Sequence, residues 1–356
     1  MLGILFFSLG TTGFAGMSFL FPLLALPWQK QKNRPANISV KNNLSISVLI
    51  PAHNEEKQLP QTIQSIQNAL HKLNNMAAQI IVGADSCTDH TKEVALQAGA
   101  LECLVLENKS KWKSLLSLIP KAQGEWIAFV DSGALWPANL IQNLQDDFQN
   151  LALMAIAPSY EPKQGGRLEA IHWSIERFFK QLENNSCGPT SLHGATIFYR
   201  KKELLAALPL LAQRSWLNDD IAIPLALHIQ FPEKKIHYFS GASSADRVAD
   251  IGLGKTTGEE KRRIRMLLGN LEWMRILLPK LFAKNPAAFL IAQRRVFRVF
   301  WIYWLLFFLL GASLLSDLPL LNLSFFLPFV FLREAALASL ISPYLLWKSP
   351  KEIPWA

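Results

Sequence analysis

Three apolar runs in the first half of the chain end abruptly in polar or acidic residues: "SVLIPAHNEE" (Ser47 to Glu56), "QIIVGAD" (Gln79 to Asp85) and "EWIAFVD" (Glu125 to Asp131). A later acidic pair, Asp219-Asp220, stands in "LNDDIAIPLAL". Buried strands that stop this way bring their terminal side chains to one edge of an open sheet, where α/β proteins bind ligands. Carboxylates gathered at such an edge imply a polar ligand.

The elements that position these acids are legible from periodicity. Leu59, Ile63, Ile66 and Leu70 recur at helical spacing behind Pro60, which suits a first turn. After the second strand, Val94, Ala95 and Ala98 mark a short helix beginning near Thr88 to Asp89 and stopping at Gly99. With the further apolar run "LECLVLE", strands and helices alternate, which predicts an α/β domain on a parallel sheet. "GLGKTTG" (Gly252 to Gly258) imitates the end of a phosphate loop, but Ala249 stands where the first glycine is required and no apolar strand precedes it.

The chain has 356 residues, half of them hydrophobic, a net charge of +9 and a mean hydropathy of +0.17. The apolar excess lies at the ends. Met1 to Trp28 lacks a charged side chain and is followed by Lys30, Lys32 and Arg34, as an anchor with a cytoplasmic C-terminal side would be. A cleaved signal peptide would instead carry its basic residues first. Val299 to Ser316 is a second uncharged stretch behind Arg294, Arg295 and Arg298. Leu320 to Trp347 is apolar but interrupted by Arg333 and Glu334, which leaves one long span or a short span with an interfacial helix. The three cysteines lack metal spacing and suit a reducing compartment. The positive charge is not interleaved with aromatics in mid-chain, so anionic headgroups or a nucleotide diphosphate are better partners than nucleic acid.

"SVLIPAHNEE", "VGADSCTD", "GEWIAFVDSG", "SLHGATIFYR" and "LNDDIAIPLAL", in this order, resemble the family 2 glycosyltransferases over Ser45 to Gly269. The resemblance implies a GT-A type nucleotide-diphospho-sugar transferase domain and inverting transfer from a UDP-sugar. In it Asp85 would accept from the uracil imide, the turn from Ala52 to Glu55 would face the ribose, and Lys111 would face the diphosphate or ribose. Asp131 opens the family's Asp-any-Asp motif, whose acids bind a divalent ion, Mg or Mn. Here the triplet is Asp131-Ser132-Gly133, so the second acid is absent, as in membrane enzymes that glucosylate ceramide.

Asp220 would be the base that takes the acceptor proton, with Asp219 the alternative and Asn218 and Asp219 capping the helix. The helix "GRLEAIHWSIERFFKQLENN" would present Trp173 and Glu176 to the acceptor, over a small-residue turn at Gly194-Ala195. Arg262 and Arg265, in "EEKRRIRMLLGN", would hold the leaving pyrophosphate or lie on headgroups. Met266 replaces the tryptophan of polymerising members.

The expected organisation is an anchor over 1–28, a linker over 29–44, a cytoplasmic transferase domain over 45–270, interfacial amphipathic helices over 271–298 and transmembrane helices over 299–348. The expected location is the inner membrane and the expected acceptor a lipid-linked or membrane-associated molecule. A processive polysaccharide synthase and an inactive scaffold with the same fold are the alternatives.

Overall fold

The computed structural model describes residues 2–18, 20–25, 27, 44–72, 77–162, 167–212, 214–250 and 259–316. The expected linker apart from Leu44, the Gly252 to Gly258 stretch and the apolar segment from Leu320 to Trp347 lie outside these residues.

Among the described residues the strands are β1 (Ser45–Ala52), β2 (Ala77–Asp85), β3 (Glu102–Leu106), β4 (Trp126–Val130), β5 (Ala134–Leu135), β6 (Leu153–Pro158), β7 (Tyr160–Pro162), β8 (Thr196–Arg200), β9 (Lys235–Phe239) and β10 (Val248–Asp250). Seven form one sheet in the order β3-β2-β1-β4-β8-β6-β9, and β5-β10-β7 form a second, small sheet. β1, β2, β3 and β4 are mutually parallel, while β8 runs antiparallel between β4 and β6.

The main sheet is covered on both faces, which explains why its strands read as unbroken apolar runs. Ile46, Val48 and Ile50 of β1 share one core with Leu59, Ile63 and Ile66 of the Leu59–Leu70 helix. Leu49 points the other way, into a core with Trp112, Leu115 and Leu118 of the Lys111–Leu118 helix. Each such side chain contributes roughly 1.5–3 kcal/mol by leaving water. The parallel register aligns Ala52 with Ala84, so β1 and β2 end side by side and Asp85 lies at their common edge.

The stretch over 271–298, expected to form interfacial amphipathic helices, packs one face on the domain. Leu271, Trp273, Met274, Leu277, Leu281, Ala288, Ile291 and Ala292 are buried in the same core as Ile221 and Leu225 of the Asp219–Gln230 helix. An apolar helical stripe has the same sequence period whether a bilayer or a protein covers it.

Among the described residues no single helix is long and apolar enough to cross a membrane. The span expected over Met1 to Trp28 divides into Leu2–Met17 and Leu20–Leu24. At 1.5 Å per residue the first piece is about 24 Å long, short of a hydrocarbon core of about 30 Å. The Trp301–Ser316 helix is equally short, and a bend of 69° separates it from the Pro286–Val299 helix; taken together, that bent pair has the length and apolarity of a span.

The two apolar helices, Leu2–Met17 and Trp301–Ser316, run antiparallel in close contact. A Cβ on Gly10 would fall 2.4 Å from the Phe308 nitrogen, and one on Gly311 would fall 2.2 Å from that of Phe7, so the glycines permit the approach. The Phe7 and Phe308 rings meet beside them at 4.9 Å. The Ala25 carbonyl accepts from Ser186 Oγ at 3.2 Å, tying the N-terminal segment to the domain.

Candidate active site

A cavity of about 390 Å³ opens beyond β4, lined by Lys111, Asp131, Trp173, Glu176, Gly194, Asp219, Asp220 and Arg265 among others. Eight of the residues expected from sequence therefore converge on one space. Each reaches it from a different element. Lys111 opens a helix capped by Ser110, whose Oγ accepts from the Lys113 amide at 3.5 Å. Asp131 follows β4 directly and its amide donates to the Ala195 carbonyl at 3.0 Å, which joins the acid to the small-residue turn. Asp219 and Asp220 begin their helix, and the Asp220 carbonyl accepts from the Leu192 amide at 2.9 Å.

The electrostatic centre is Lys111. Its ammonium lies 2.7 Å from Asp131 Oδ1 and 3.4 Å from Asp219 Oδ2. Burial alone would lower the lysine, but Asp131 and Asp219 outweigh it and raise it. Burial, with the Asp219 carboxylate beside it, pushes Asp220 up to about 6, while Arg295 and Lys111 limit the rise. A Cβ on Gly194 would sit 3.5 Å from Asp131 Oδ2, 3.8 Å from Asp220 Cβ and 3.8 Å from Lys111 Nζ, so this turn floors the space between the acids.

Asp85, expected to accept from the uracil imide, is not in the cavity wall. It is fully buried and accepts from the Lys109 amide (3.0 Å), the Ser110 amide (3.0 Å), Ser114 Oγ (2.8 Å) and Ser86 Oγ (3.1 Å). Those donors fix the loop that delivers Lys111. Ala52, Glu55 and Ala195 are not in the cavity wall. Ala52 is buried at the end of β1, and the Glu55 amide donates to Thr91 Oγ1 at 2.8 Å, so this turn clasps the loop after β2. The side chain of Arg262 lies outside the described residues. Asn218 stands at the N-cap position, but its side chain caps no amide; its Nδ2 donates to the Met266 carbonyl at 3.0 Å and to Asn270 Oδ1 at 3.2 Å, holding the Glu259–Ile276 helix and Arg265 over the site.

Several wall residues were missed. Arg294, Arg295 and Arg298 read in sequence as membrane-flanking charges, yet they turn toward the domain. Glu176 Oε1 receives Arg294 at 2.8 Å and Arg298 at 2.7 Å, and Arg295 and Arg298 line the cavity. Burial pushes Glu176 up, but Arg298 and Arg294 overcome it and hold the carboxyl at about 2. His193 stacks on Tyr160 at 3.6 Å, with Trp173 edge-on to both, forming an aromatic wall. His193 was visible in "SLHGATIFYR" beside Gly194; nothing local to Tyr160 marks it.

Residues 47–206 match the family described as Glycosyl transferase family 2. The chain is similar to the dolichol-phosphate mannosyltransferase of Pyrococcus furiosus, 28% identical over 138 residues that cover 38% of this chain and 37% of that one. It is also similar to the 4,4'-diaponeurosporenoate glycosyltransferase of Staphylococcus haemolyticus, 43% identical over 56 residues, 16% of this chain and 14% of that one. The matched stretches thus span well under half of both relatives. Among solved structures, the mannosyltransferase PcManGT from Pyrobaculum calidifontis, in complex with GDP-Man and Mn2+, superposes with a TM-score of 0.66 at 15% identity over 97% of each chain. That likeness establishes the GT-A fold.

Proposed function

Because residues 47–206 are a family 2 glycosyltransferase domain, we propose that this protein transfers a single sugar, with inversion, from a nucleoside-diphosphate sugar to a membrane-associated acceptor. The observation that carries this reading is Asp220. It is a carboxylate raised to about 6 at the wall of a cavity that also holds Lys111, Arg265 and an aromatic face. A base poised near neutral pH is what deprotonation of an acceptor hydroxyl requires.

In the proposed reaction Asp220 takes the hydroxyl proton as the acceptor oxygen bonds the sugar's anomeric carbon. The bond from that carbon to the diphosphate breaks, and its electron pair leaves with the diphosphate. Arg265 and Lys111 face that growing negative charge. The Tyr160, His193 and Trp173 wall supplies apolar surface for a sugar ring or an amphipathic acceptor. Met266, at the cavity where polymerising members place a tryptophan, favours single transfer over processive synthesis.

The residues present suit a divalent ion. Asp131 already faces a cation, the Lys111 ammonium at 2.7 Å, and 43% of its side chain is exposed. Asp131 would hold the ion, whose charge, when bound, stabilises the leaving diphosphate.

Membrane attachment is supported by the glycine-packed apolar helix pair. Leu2, Ile4 and Leu5 on one helix and Leu306 and Leu314 on the other remain exposed. The uridine donor expected from sequence and the guanosine donor bound by PcManGT are separable by experiment. UDP- and GDP-sugars are offered with a membrane lipid extract, and the product is detected by mass. Sugar transfer to a lipid from one donor series is the expected result; release of free sugar alone would remove the membrane acceptor.

A further inference from the structure

Lys111, Lys180, Arg265, Arg295 and Arg298 all line the cavity. Three of these cations are paired there, Lys111 with Asp131 and Asp219, Lys180 with Glu183 at 3.0 Å, and Arg298 with Glu176. Among the described residues Arg265 and Arg295 have no carboxylate within ion-pair distance. Arg265 answers the leaving diphosphate in the proposed reaction. Arg295 has no counter-charge in it, although a desolvated charge is costly until it is paired.

Arg295 is nonetheless held in place. Asn270 Oδ1 accepts from Asn218 Nδ2, Trp273 Nε1 and Arg295 Nε, each at 3.2 Å. One amide oxygen therefore joins the arginine to the residue that precedes Asp219-Asp220. A Cβ on Gly269 would fall 2.6 Å from Asn218 Cγ, so the helix bearing Asn270 crosses Asn218 where no side chain intervenes. The bond to Asn270 occupies Nε and leaves both terminal nitrogens of Arg295 without a hydrogen bond among the described residues. Burial and Asp219 raise Asp220, and Arg295 is the largest charge opposing them, so the guanidinium lies near the candidate base.

The helix that carries Arg295 also reaches the apolar end of the molecule. Phe297, two positions and about 200° further round the same helix, meets the Phe21 ring at 4.8 Å and the Trp304 ring at 4.9 Å. The unpaired cation thus stands between the acids of the cavity and the apolar helices. We propose that Arg295 selects the acceptor by binding an acidic group, a phosphate or a carboxylate, carried beside the reacting hydroxyl of a membrane amphiphile. The planar fork of an arginine suits two oxygens of such a group, as a point-charge lysine does not. This inference rests on the reading in which Asp220 takes a hydroxyl proton, and it adds the charge of the acceptor. A diphosphate has the same chemistry, but the continuity of this helix with the apolar segment favours the acceptor as the source.

The test titrates dodecyl phosphate, with neutral 1-O-dodecylglycerol as its control, into the purified full chain in dodecyl maltoside with UDP and separately with GDP, read by tryptophan fluorescence. Wild type should bind the phosphate at least about ten-fold more tightly than the control, the scale of one charge-assisted hydrogen bond. Arg295→Met should lose that preference and keep wild-type UDP and GDP affinity. Arg295→Lys keeps the net charge, so it matches wild type in unspecific attraction to the probe and should still lose several-fold in affinity; it decides if Arg295→Met does not fold. Wild-type affinity for dodecyl phosphate in the deciding variant overturns the assignment, as does a wild type that does not prefer the phosphate. If Arg295→Met weakens UDP or GDP and spares dodecyl phosphate, the anion is the donor's and the acceptor assignment falls. Sugar transfer to neutral lipids at the wild-type rate in Arg295→Met would remove this inference and leave the transferase reading standing. Dodecyl phosphate binding that depends on Arg295, without transfer from any UDP- or GDP-sugar, would keep the anion site and remove the transferase reading.

Discussion

Asp85 and Glu176 are both acids on which the site depends, but they are held in different ways. Asp85 ends β2 and collects its neighbour Ser86 Oγ and three donors from residues 109–114, all backbone amides or serine hydroxyls close in sequence to one another. Glu176 sits mid-helix and collects two guanidinium groups, Arg294 and Arg298, from a helix more than a hundred residues later. The first hub fixes the Lys111 side of the cavity by local bonding. The second joins the Trp173 and Glu176 wall to the C-terminal helices by charge. An acid at a strand tip can therefore be structural, while an acid in a helix can define where a distant segment docks.

The sharpest test of this division lies between the two hubs. Asp220→Asn keeps the side chain's size but cannot take the acceptor proton. Turnover should fall by roughly 10²–10⁴-fold with nucleotide affinity unchanged. Asp219→Asn should cost less turnover because Asp219 is paired with Lys111. Steady-state kinetics with nucleotide titrations compares them, and the reverse ranking would move the base to Asp219.

Glu176→Gln should be the most destabilising change on its side of the cavity, because it leaves Arg294 and Arg298 without their shared carboxylate. Breaking such a pair costs about 3 kcal/mol, at the low end of the buried range because Arg298 is 37% exposed. Urea unfolding reads the loss. A matched loss in Arg294→Met, with additivity failing in the double variant, would show the coupling directly.

Asp85→Asn should have a smaller effect, about 1.5–3 kcal/mol for a charge-assisted hydrogen bond. Its consequence should concentrate on Lys111, so nucleotide binding should weaken more than it does in Glu176→Gln. Equal binding losses in the two variants would erase the distinction between the hubs.

The smallest expected effects are the pH dependences, and the two acids should oppose each other. Glu176 is held at about 2, below an ordinary glutamate near 4.5, so its stabilisation is present above about 4.5 and is lost as pH falls toward 2. Asp220 is raised to about 6 from an ordinary value near 3.8, so its contribution is present below about 3.8 and is lost as pH rises to 6. Turnover should rise through pH 6 as Asp220 ionises. Unfolding and turnover measured from pH 3 to 8 separate the two, and Asp220→Asn should remove the turnover limb near 6.

Some of this was readable in the residues. The runs ending at Asp85 and Asp131 place those acids at one sheet edge, and Leu59 to Leu70 forms the helix its spacing implies. The Arg167–Asn184 helix and the turn at Gly194 likewise reach the cavity. The contacts of Arg294 and Arg298 with Glu176 were not legible in sequence, because a basic cluster beside an apolar run has the same pattern whether or not it also meets a carboxylate. Their carboxylate partners lie far away in sequence.

Strand period, helix spacing and the order of the acids are local properties, fixed by alternating burial over a few residues, and the sequence alone determined them. Which acid faces ligand and which is consumed by the protein was decided only by tertiary structure, because it depends on the donors that distant loops deliver. Asp85 is buried by one such loop, and Asp220 is raised by burial and by the Asp219 carboxylate beside it. None of those contacts leaves a period in the chain, since each pairs residues whose separation is set by folding and not by repeat.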